Sequence, residues 1–155
     1  MKISTKGRYA LRVMIDLARY GTKEYLPLRT LSMRQGISEK YLENILGALV
    51  RAGILEGARG KGGGYKMKAD PAVCTVWDVL ICEEASLAPV QCLDSEPVDC
   101  NRVNYCPTLP FWRDLGNLVK NYMQSVTLDQ LCKNAPKFFS TYMPPQSDDA
   151  WAPEL

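Results

Sequence analysis

The hydrophobic residues over 28–52 follow a helical period that is broken once, at Gln35-Gly36. The period predicts a short helix over 28–34 and a longer helix over 38–52. Pro27 can open the first helix, because its fixed φ suits a helix start, and Ser38 can cap the second by accepting a hydrogen bond from a free backbone N–H. A short helix, a glycine turn and a capped second helix are typical of a helix-turn-helix unit.

The segments on either side extend this unit. Residues 4–19 predict a first helix, whose apolar stripe is formed by Ala10, Val13, Met14, Leu17 and Ala18. The charged residues of this helix lie mostly off the stripe: Arg8, Arg12, Asp16 and Arg19. Residues 53–58 and 65–68 predict two short strands joined by Arg59-Gly-Lys-Gly-Gly-Gly64, which makes a β-hairpin wing. A tip without bulky side chains can approach a sugar-phosphate wall closely, and Arg59 can enter a narrow minor groove.

Two glycine features permit other interpretations. Glycine-rich loops also bind nucleotide phosphates, but this one has no Gly-Lys-Ser/Thr ending and is followed by a strand, so we do not expect a nucleotide site. Gly47 interrupts the helix over 38–52 and costs about 1 kcal/mol relative to alanine. Close packing is one use that a helix can make of such a glycine.

The formal net charge of +2 conceals an asymmetry between the two halves of the chain. Residues 1–68 hold 14 Lys and Arg against 5 Asp and Glu, whereas residues 69–155 hold 5 against 12. A basic half in so small a protein attracts polyanions, and the acidic half is repelled by the same polymer. A solvated surface whose charges happen to segregate is the alternative, but the pattern favours nucleic-acid binding by the first half.

The second half of the chain predicts four segments. Thr75-Val-Trp-Asp78 predicts a capping box that begins a helix through Glu84, the last residue of the winged helix-turn-helix domain over 1–84. An aperiodic cysteine loop spans 85–107. Residues 108–134 predict a long helix and a short cap helix, and 135–155 a tail. The apolar face of the long helix comprises Phe111, Trp112, Leu115, Leu118, Val119, Tyr122, Met123 and Val126. So large a face favours a dimer seam over packing on the chain's own core, and we predict a mainly α fold with this long C-terminal dimerisation helix.

Three cysteines lie in the aperiodic loop, at positions 92, 100 and 106. Thiolates on one loop can close around iron or zinc, and three or four sulfurs are what an iron–sulfur cluster requires. Zinc is less favoured, because its ligands usually come in closer pairs, and a disulfide or thiol switch is a further alternative. Cys74, Cys82 and Cys132 lie in apolar periodic segments, where small buried hydrophobic residues are expected.

The chain lacks the residues that several classes of protein function require. The chain contains no histidine, no paired carboxylates on a clear face and no nucleophile motif, so we expect that it is not an enzyme. A small electron-transfer protein is less favoured, because it has no use for the basic half or the wing. With no apolar run near the length of a membrane span and no signal peptide, we expect a cytoplasmic protein without membrane contacts.

Four segments carry a resemblance to a known family: Met1-Lys-Ile-Ser-Thr-Lys-Gly-Arg-Tyr-Ala10, Gln35-Gly-Ile-Ser-Glu-Lys-Tyr-Leu-Glu43, Arg59-Gly-Lys-Gly-Gly-Gly-Tyr65 and Trp112-Arg-Asp-Leu115. They resemble the opening, the helix-turn-helix, the wing and the start of the dimerisation helix of the IscR/NsrR/RirA family of bacterial winged-helix regulators. The resemblance extends from Met1 to about Leu131.

The resemblance implies a homodimer that binds promoter double-stranded DNA and tunes its affinity through an iron–sulfur cluster, of two-iron or four-iron type. The cluster ligands would be Cys92, Cys100 and Cys106, whose spacing looks most like the iron-responsive RirA type. The positions that match DNA-contacting residues of the family are Ser38, Lys40, Tyr41, Glu43, Asn44, Arg59 and Lys61. CymR-like members share the fold but lack these cysteines, so a cluster-free or thiol-switch regulator is the alternative.

The fourth cluster ligand is where the chain departs from the family. IscR-like members use a histidine after the third cysteine, whereas Pro107-Thr108-Leu109 follow Cys106 here. Nitric-oxide sensors of the family use an acidic residue of the partner subunit's first helix, and the matching residue here is Arg8, which cannot be a ligand. The candidates that remain are water, a small thiol, Cys82, Asp94, Glu96 and Asp99.

Overall fold

The computed structural model describes residues 1–134, so the predicted tail over 135–155 lies outside the described residues. In chain order the elements are α1 (Thr5–Tyr20), α2 (Leu28–Gln35), α3 (Glu39–Arg51), β1 (Leu55–Ala58), β2 (Gly64–Met67), α4 (Val76–Leu80), α5 (Leu109–Ser125) and α6 (Leu128–Asn134). The predicted winged helix-turn-helix fold, mainly α with a small hairpin, is confirmed. Between residues 1 and 134, no helix combines the length and the apolar character that crossing a bilayer requires.

The core is built around α1. Its predicted apolar stripe is buried except for Ala18, which is partly exposed, and α1 packs against α2, α3, α4, α6 and β2. The α3 helix contributes the second large share of the core through Leu42, Ile45, Leu46 and Leu49, all fully buried. A stripe of this width at helical spacing explains why both helices form here, since most helix stability in proteins comes from packing of an apolar face.

The turn between α2 and α3 follows the predicted signals. Gly36 ends α2 in the left-handed conformation, with φ of 64°, which glycine adopts at little cost. Ser38 caps α3, and its Oγ accepts a hydrogen bond from the N–H of Tyr41 at 3.4 Å. Ile37 is buried between the two helices, as an apolar plug of the turn.

The wing is a two-stranded antiparallel hairpin that a third segment supports. Leu55 pairs with Met67 and Ala58 with Gly64 across the hairpin. Leu26, just before α2, exchanges two backbone hydrogen bonds of 2.9 Å with Tyr65 of β2. Gly64 is required at this junction, because a Cβ there would collide with the Leu26 carbonyl. The wing is therefore fastened to the start of the helix-turn-helix.

Two expectations for individual elements were wrong. The α4 helix was expected to reach residue 84, but it ends at Leu80 and the chain continues in a turn, although its predicted capping box between Thr75 and Asp78 is present. Asp16 was placed mostly off the buried stripe of α1, yet it is buried. Its carboxylate accepts hydrogen bonds from Arg34 at 3.0 Å and Gln35 at 3.1 Å, at the end of α2.

Within residues 1–134, part of the apolar face of the long helix α5 remains exposed. It packs against α4, and Leu109 is its one buried residue within the described structure. Phe111, Leu118 and Tyr122 are 60%, 66% and 69% exposed. Residues seven and eleven positions apart share one side of a helix, so these three form a single stripe, called the α5 stripe below.

Asp16→Ala should lower the free energy of unfolding by about 2–3 kcal/mol, because it leaves the buried amide of Gln35 and the guanidinium of Arg34 without their acceptor. Arg34 remains 22% exposed, so water offsets part of the loss. Asp16→Asn, which retains one acceptor oxygen, should lose less. Urea unfolding of the three proteins measures this order, and a loss below about 0.5 kcal/mol for Asp16→Ala would contradict it.

Candidate DNA interface and cysteine loop

The outer side of α3 carries three of the predicted DNA-contacting residues. Lys40, Glu43 and Asn44 are exposed there, next to each other along the helix. Tyr41 differs, because it is partly buried and its ring lies edge-on against that of Tyr9, with centroids 6.0 Å apart. The exposed trio can meet base edges by hydrogen bonding, whereas Tyr41 is held toward α1.

Ser38, the cap of α3, is exposed as well, and the wing presents two further predicted DNA-contacting residues. Arg59 and Lys61 are exposed in the turn between β1 and β2. The hairpin below them is stiffened by Tyr25, whose hydroxyl donates a hydrogen bond to Glu56, while the Lys66 ammonium lies 4.7 Å from the Tyr25 ring centroid. Sequence reasoning missed Tyr25, because nothing in its local sequence indicates a contact with a strand 31 residues away.

A groove of about 570 Å³ separates α3 from the wing. We call it the wing groove. Glu43 and Arg59 line it, and so does Tyr65. Burial, and then the nearby charge of Glu43, raise the pKa of Tyr65, so this phenol remains a hydrogen-bond donor at neutral pH. The groove therefore combines a carboxylate, a guanidinium and a protonated phenol between the two predicted DNA-contacting elements.

The cysteine loop is held by short-range turns. Cys92 lies in a 3-10 turn over Gln91–Leu93, and Cys100 and Cys106 border a further turn over 101–105. All three side chains are half-buried and all three thiols are free. Among the described residues, no three or more Cys, Asp or Glu side chains converge on a point that could hold a metal ion. The three thiols therefore share one loop but, within the described residues, do not converge on a metal site.

Cys106 is the cysteine whose surroundings favour a thiolate. Its Sγ lies 3.4 Å from the Thr108 hydroxyl. Hydrogen bonding from that hydroxyl, followed by the backbone N–H groups of Thr108 and Leu109, lowers the pKa of Cys106. These N–H groups begin α5, where helix N-termini stabilise negative charge. The carbonyl of Cys106 accepts from the Leu109 N–H at 3.4 Å, so the loop joins the helix directly at this residue.

The other end of the loop is fastened to the start of α1. Glu84 Oε1 accepts from the backbone N–H of Ser4 at 2.9 Å and from its hydroxyl at 2.8 Å. Glu83, whose side chain is fully buried, is paired with Lys6 at 2.7 Å, and burial raises the pKa of Glu83. We call these four residues the N-terminal clasp. Gly7 permits it, because a Cβ there would collide with the Glu84 carboxylate.

The cysteines outside the loop are packed into the fold. Cys74 is buried as expected, and burial raises its pKa to about 11. Cys82 is partly buried against the core, and Cys132 is half-buried with its Sγ 3.6 Å from the Ile15 carbonyl. The Cys82 thiol donates to the Asp78 carbonyl at 3.1 Å, and burial raises its pKa. Among the fourth-ligand candidates, Cys82 is therefore held as a thiol, whereas thiolates bind metals.

Comparison with known proteins identifies the family to which this chain belongs. A family model described as Rrf2, iron-dependent transcriptional regulator, matches residues 3–134. The chain belongs to the Rrf2 family. It is 36% identical over 134 residues to the HTH-type transcriptional regulator IscR of Vibrio atlanticus (strain LGP32), covering 86% of this chain and 76% of that protein.

Solved structures agree with the Rrf2 assignment. CymR, the global cysteine regulator of B. subtilis, matches with a TM-score of 0.70 at 31% identity, over 88% of this chain and 99% of that one. IscR of T. potens matches with a TM-score of 0.69 at 29% identity, over 89% and 90%. The chain is an Rrf2-family transcription regulator with a DNA-binding winged helix, and its predicted resemblance to IscR-type proteins is confirmed.

Thr108→Val should raise the pKa of Cys106 in the cluster-free protein, because it removes the hydroxyl that stabilises the thiolate. Thr108→Ser keeps a hydroxyl and serves as the matched control. The pH dependence of Cys106 alkylation, followed by peptide mass spectrometry under reducing conditions, gives the pKa directly. The valine variant should titrate at higher pH than wild type and the serine variant close to it. Identical titrations of all three would contradict the assigned role of Thr108.

Proposed function

We propose that the chain is a homodimeric transcription regulator whose affinity for promoter DNA is controlled by an iron–sulfur cluster bound by Cys92, Cys100 and Cys106. The observation that carries this proposal is the attachment of a three-cysteine loop to both the long helix and the winged domain. Lys40, Glu43 and Asn44 would contact bases in the major groove, and Arg59 and Lys61 would contact the minor groove or its phosphates. Ser38 and Tyr41, at the start of α3, are further proposed contacts in the major groove.

The side chains of the cysteine loop are chemically suited to bind an iron–sulfur cluster. Three thiols lie on one loop, and Cys106 is held toward its thiolate form by Thr108 and the first N–H groups of α5. When bound, an iron–sulfur cluster with three thiolates and one weaker ligand supplies an iron that oxygen, nitric oxide or iron shortage can remove. Asp94, Glu96 and Asp99 are exposed on the same loop and remain candidates for the weaker position.

The chain offers two routes by which the loop conformation can reach the DNA-contacting elements. Cys106 continues into α5, which packs on α4, and α4 packs on α1. At the other end, the N-terminal clasp joins the loop to the first turn of α1, which contacts both α2 and α3. A displacement of either end of the loop would therefore change the contacts of α1, the helix that packs against α2 and α3.

Protein purified without air should be coloured and contain iron and sulfide, whose counts distinguish a two-iron from a four-iron cluster. Substituting alanine for Cys92, Cys100 or Cys106 should abolish the absorption. Cys132→Ala is the matched control and should retain it, because Cys132 lies on α6, away from the loop. Fluorescence anisotropy with promoter DNA should then show affinities that differ about tenfold or more between the loaded and iron-depleted protein.

Two results would refute the cluster proposal. The first is colourless, iron-free protein prepared under anaerobic conditions. The second is equal DNA affinity of the loaded and depleted forms, which would leave the cluster without a regulatory role.

The α5 stripe supports the dimer. Three large apolar side chains that are 60–69% exposed on one side of a helix are costly in water, and a second copy of the same helix would bury them. Symmetric dimers also match the two-fold symmetry of palindromic DNA sites. The seam would place two recognition helices at a fixed separation.

Leu118→Glu should convert the dimer to a monomer, because it places a charge in the centre of the α5 stripe. Gln124→Glu adds the same charge on the opposite side of α5 and should leave the dimer intact. Sedimentation velocity at micromolar concentration measures both, and DNA affinity should fall about tenfold or more for the Leu118 variant alone. A monomeric wild type, or a dimeric Leu118→Glu variant, would overturn the assignment.

A second candidate is a regulator of the same fold that uses its thiols without a metal. The similarity to CymR of B. subtilis favours it. Within residues 1–134, the loop thiols also do not converge with other Cys, Asp or Glu side chains on one point. Under this alternative, DNA affinity would follow the oxidation state of metal-free protein. Titration with a thiol oxidant in the presence of a chelator distinguishes the two candidates, because only the thiol switch would change affinity under those conditions.

A further inference from the structure

Gly47 lies in the middle of α3, where glycine weakens a helix, and no neighbour among the described residues 1–134 requires it. A Cβ built at Gly47 would meet a single neighbour within 4 Å, the Arg51 Nη1 atom at 3.5 Å, which is an ordinary contact. The position is helical and partly exposed. Alanine would therefore fit the unbound protein and would stabilise α3. Close packing within the chain does not explain the glycine.

The space that Gly47 leaves open belongs to the wing groove. Gly47 forms part of the α3 wall of this groove, and Gly57 and Gly63 form part of the wall on the wing. Arg59 and Tyr65 supply a cation and a hydroxyl donor on the wing side, while Glu43 lies on the α3 side. A Cβ or longer side chain at position 47 would narrow the groove between these walls.

The geometry of duplex DNA indicates what enters this groove. When a recognition helix lies in the major groove and a wing meets the adjacent minor groove, one sugar-phosphate backbone runs between them, because a backbone separates the two grooves. Arg59 and the Tyr65 hydroxyl can hydrogen-bond phosphate oxygens, and the basic first half of the chain attracts the polyanion. Glu43 repels phosphate, which directs the backbone toward the wing side and leaves Glu43 to face base edges.

We infer that one sugar-phosphate backbone of bound DNA lies in the wing groove, and that Gly47 is a positioning residue which lets this backbone approach α3 while Arg59 and Tyr65 bind it. The inference rests on the proposed DNA contacts of α3 and the wing. The glycine thus weakens the free helix and improves the fit of the complex, so stability and DNA affinity should respond to its substitution in opposite directions.

Gly47→Ala tests this opposition. The variant should unfold at a higher temperature than wild type, yet bind DNA about tenfold or more weakly, and Gly47→Val should bind more weakly still. The DNA is a duplex selected from a random pool by the wild-type dimer in its higher-affinity form. Ala48→Ser, which adds one atom to α3 at a residue that does not line the groove, is the matched control and should bind within about twofold of wild type.

A neutral methylphosphonate linkage, scanned along the backbone of the same duplex, provides a second measurement. At the contacted phosphate it should weaken wild-type binding and should weaken Arg59→Ala and Tyr65→Phe binding less, because those variants have already lost part of the contact. Gly47→Ala that binds as tightly as wild type would overturn the inference. Failure of the wild type to bind any duplex would instead refute the proposed DNA contacts on which the inference rests.

Discussion

The buried stripe of α1 is the contact on which the other elements depend. Ala10, Val13, Met14 and Leu17 are fully buried, and the helix that carries them contacts α2, α3 and β2 of the winged helix-turn-helix and also α4 and α6. Because protein interiors are close-packed, such a helix cannot shift against one set of neighbours without disturbing the other. The helix-turn-helix and the elements next to the cysteine loop therefore pack against the same helix, α1.

Polar contacts at both ends of α1 fix its orientation relative to its neighbours, which the apolar stripe alone does not determine. At its start, the N-terminal clasp ties α1 to the residues that precede the cysteine loop. In its second half, Asp16 binds the end of α2, and Arg19 donates a hydrogen bond of 2.6 Å to the Cys132 carbonyl of α6. Apolar burial stabilises α1 without choosing its register, whereas hydrogen bonds and ion pairs depend on distance and direction. These contacts set how α1 lies relative to each neighbour.

Elements with local signals could be predicted from the sequence, and contacts between distant segments could not. The cap at Ser38, the capping box at Thr75 and the turn at Gly36 each depend on residues within four positions, and each is present. The burial of Asp16 depends on partners 18 and 19 residues away, and the clasp joins residues 80 apart. For the candidate site, the exposed Lys40 and Arg59 were accessible to pattern analysis, but the wing groove, with Tyr65 inside it, forms only when the hairpin packs beside α3.

The cysteine loop differs from the rest of the chain in how it is held, and this difference suits a regulatory element. For residues 90–106, the hydrogen bonds found in the described structure join close neighbours in sequence, whereas the loop ends are bound to the clasp and to α5. A segment whose hydrogen bonds are local can change conformation at lower free-energy cost than the core, which remains folded. In the proposed mechanism, its two anchored ends would convert a local change into a displacement of α5 or of the first turn of α1. A stiffer loop would oppose the change in conformation that accompanies binding of the proposed cluster. A loop anchored at one end alone would lack a direct connection either to α5, the proposed dimer helix, or to α1, which packs against the helix-turn-helix.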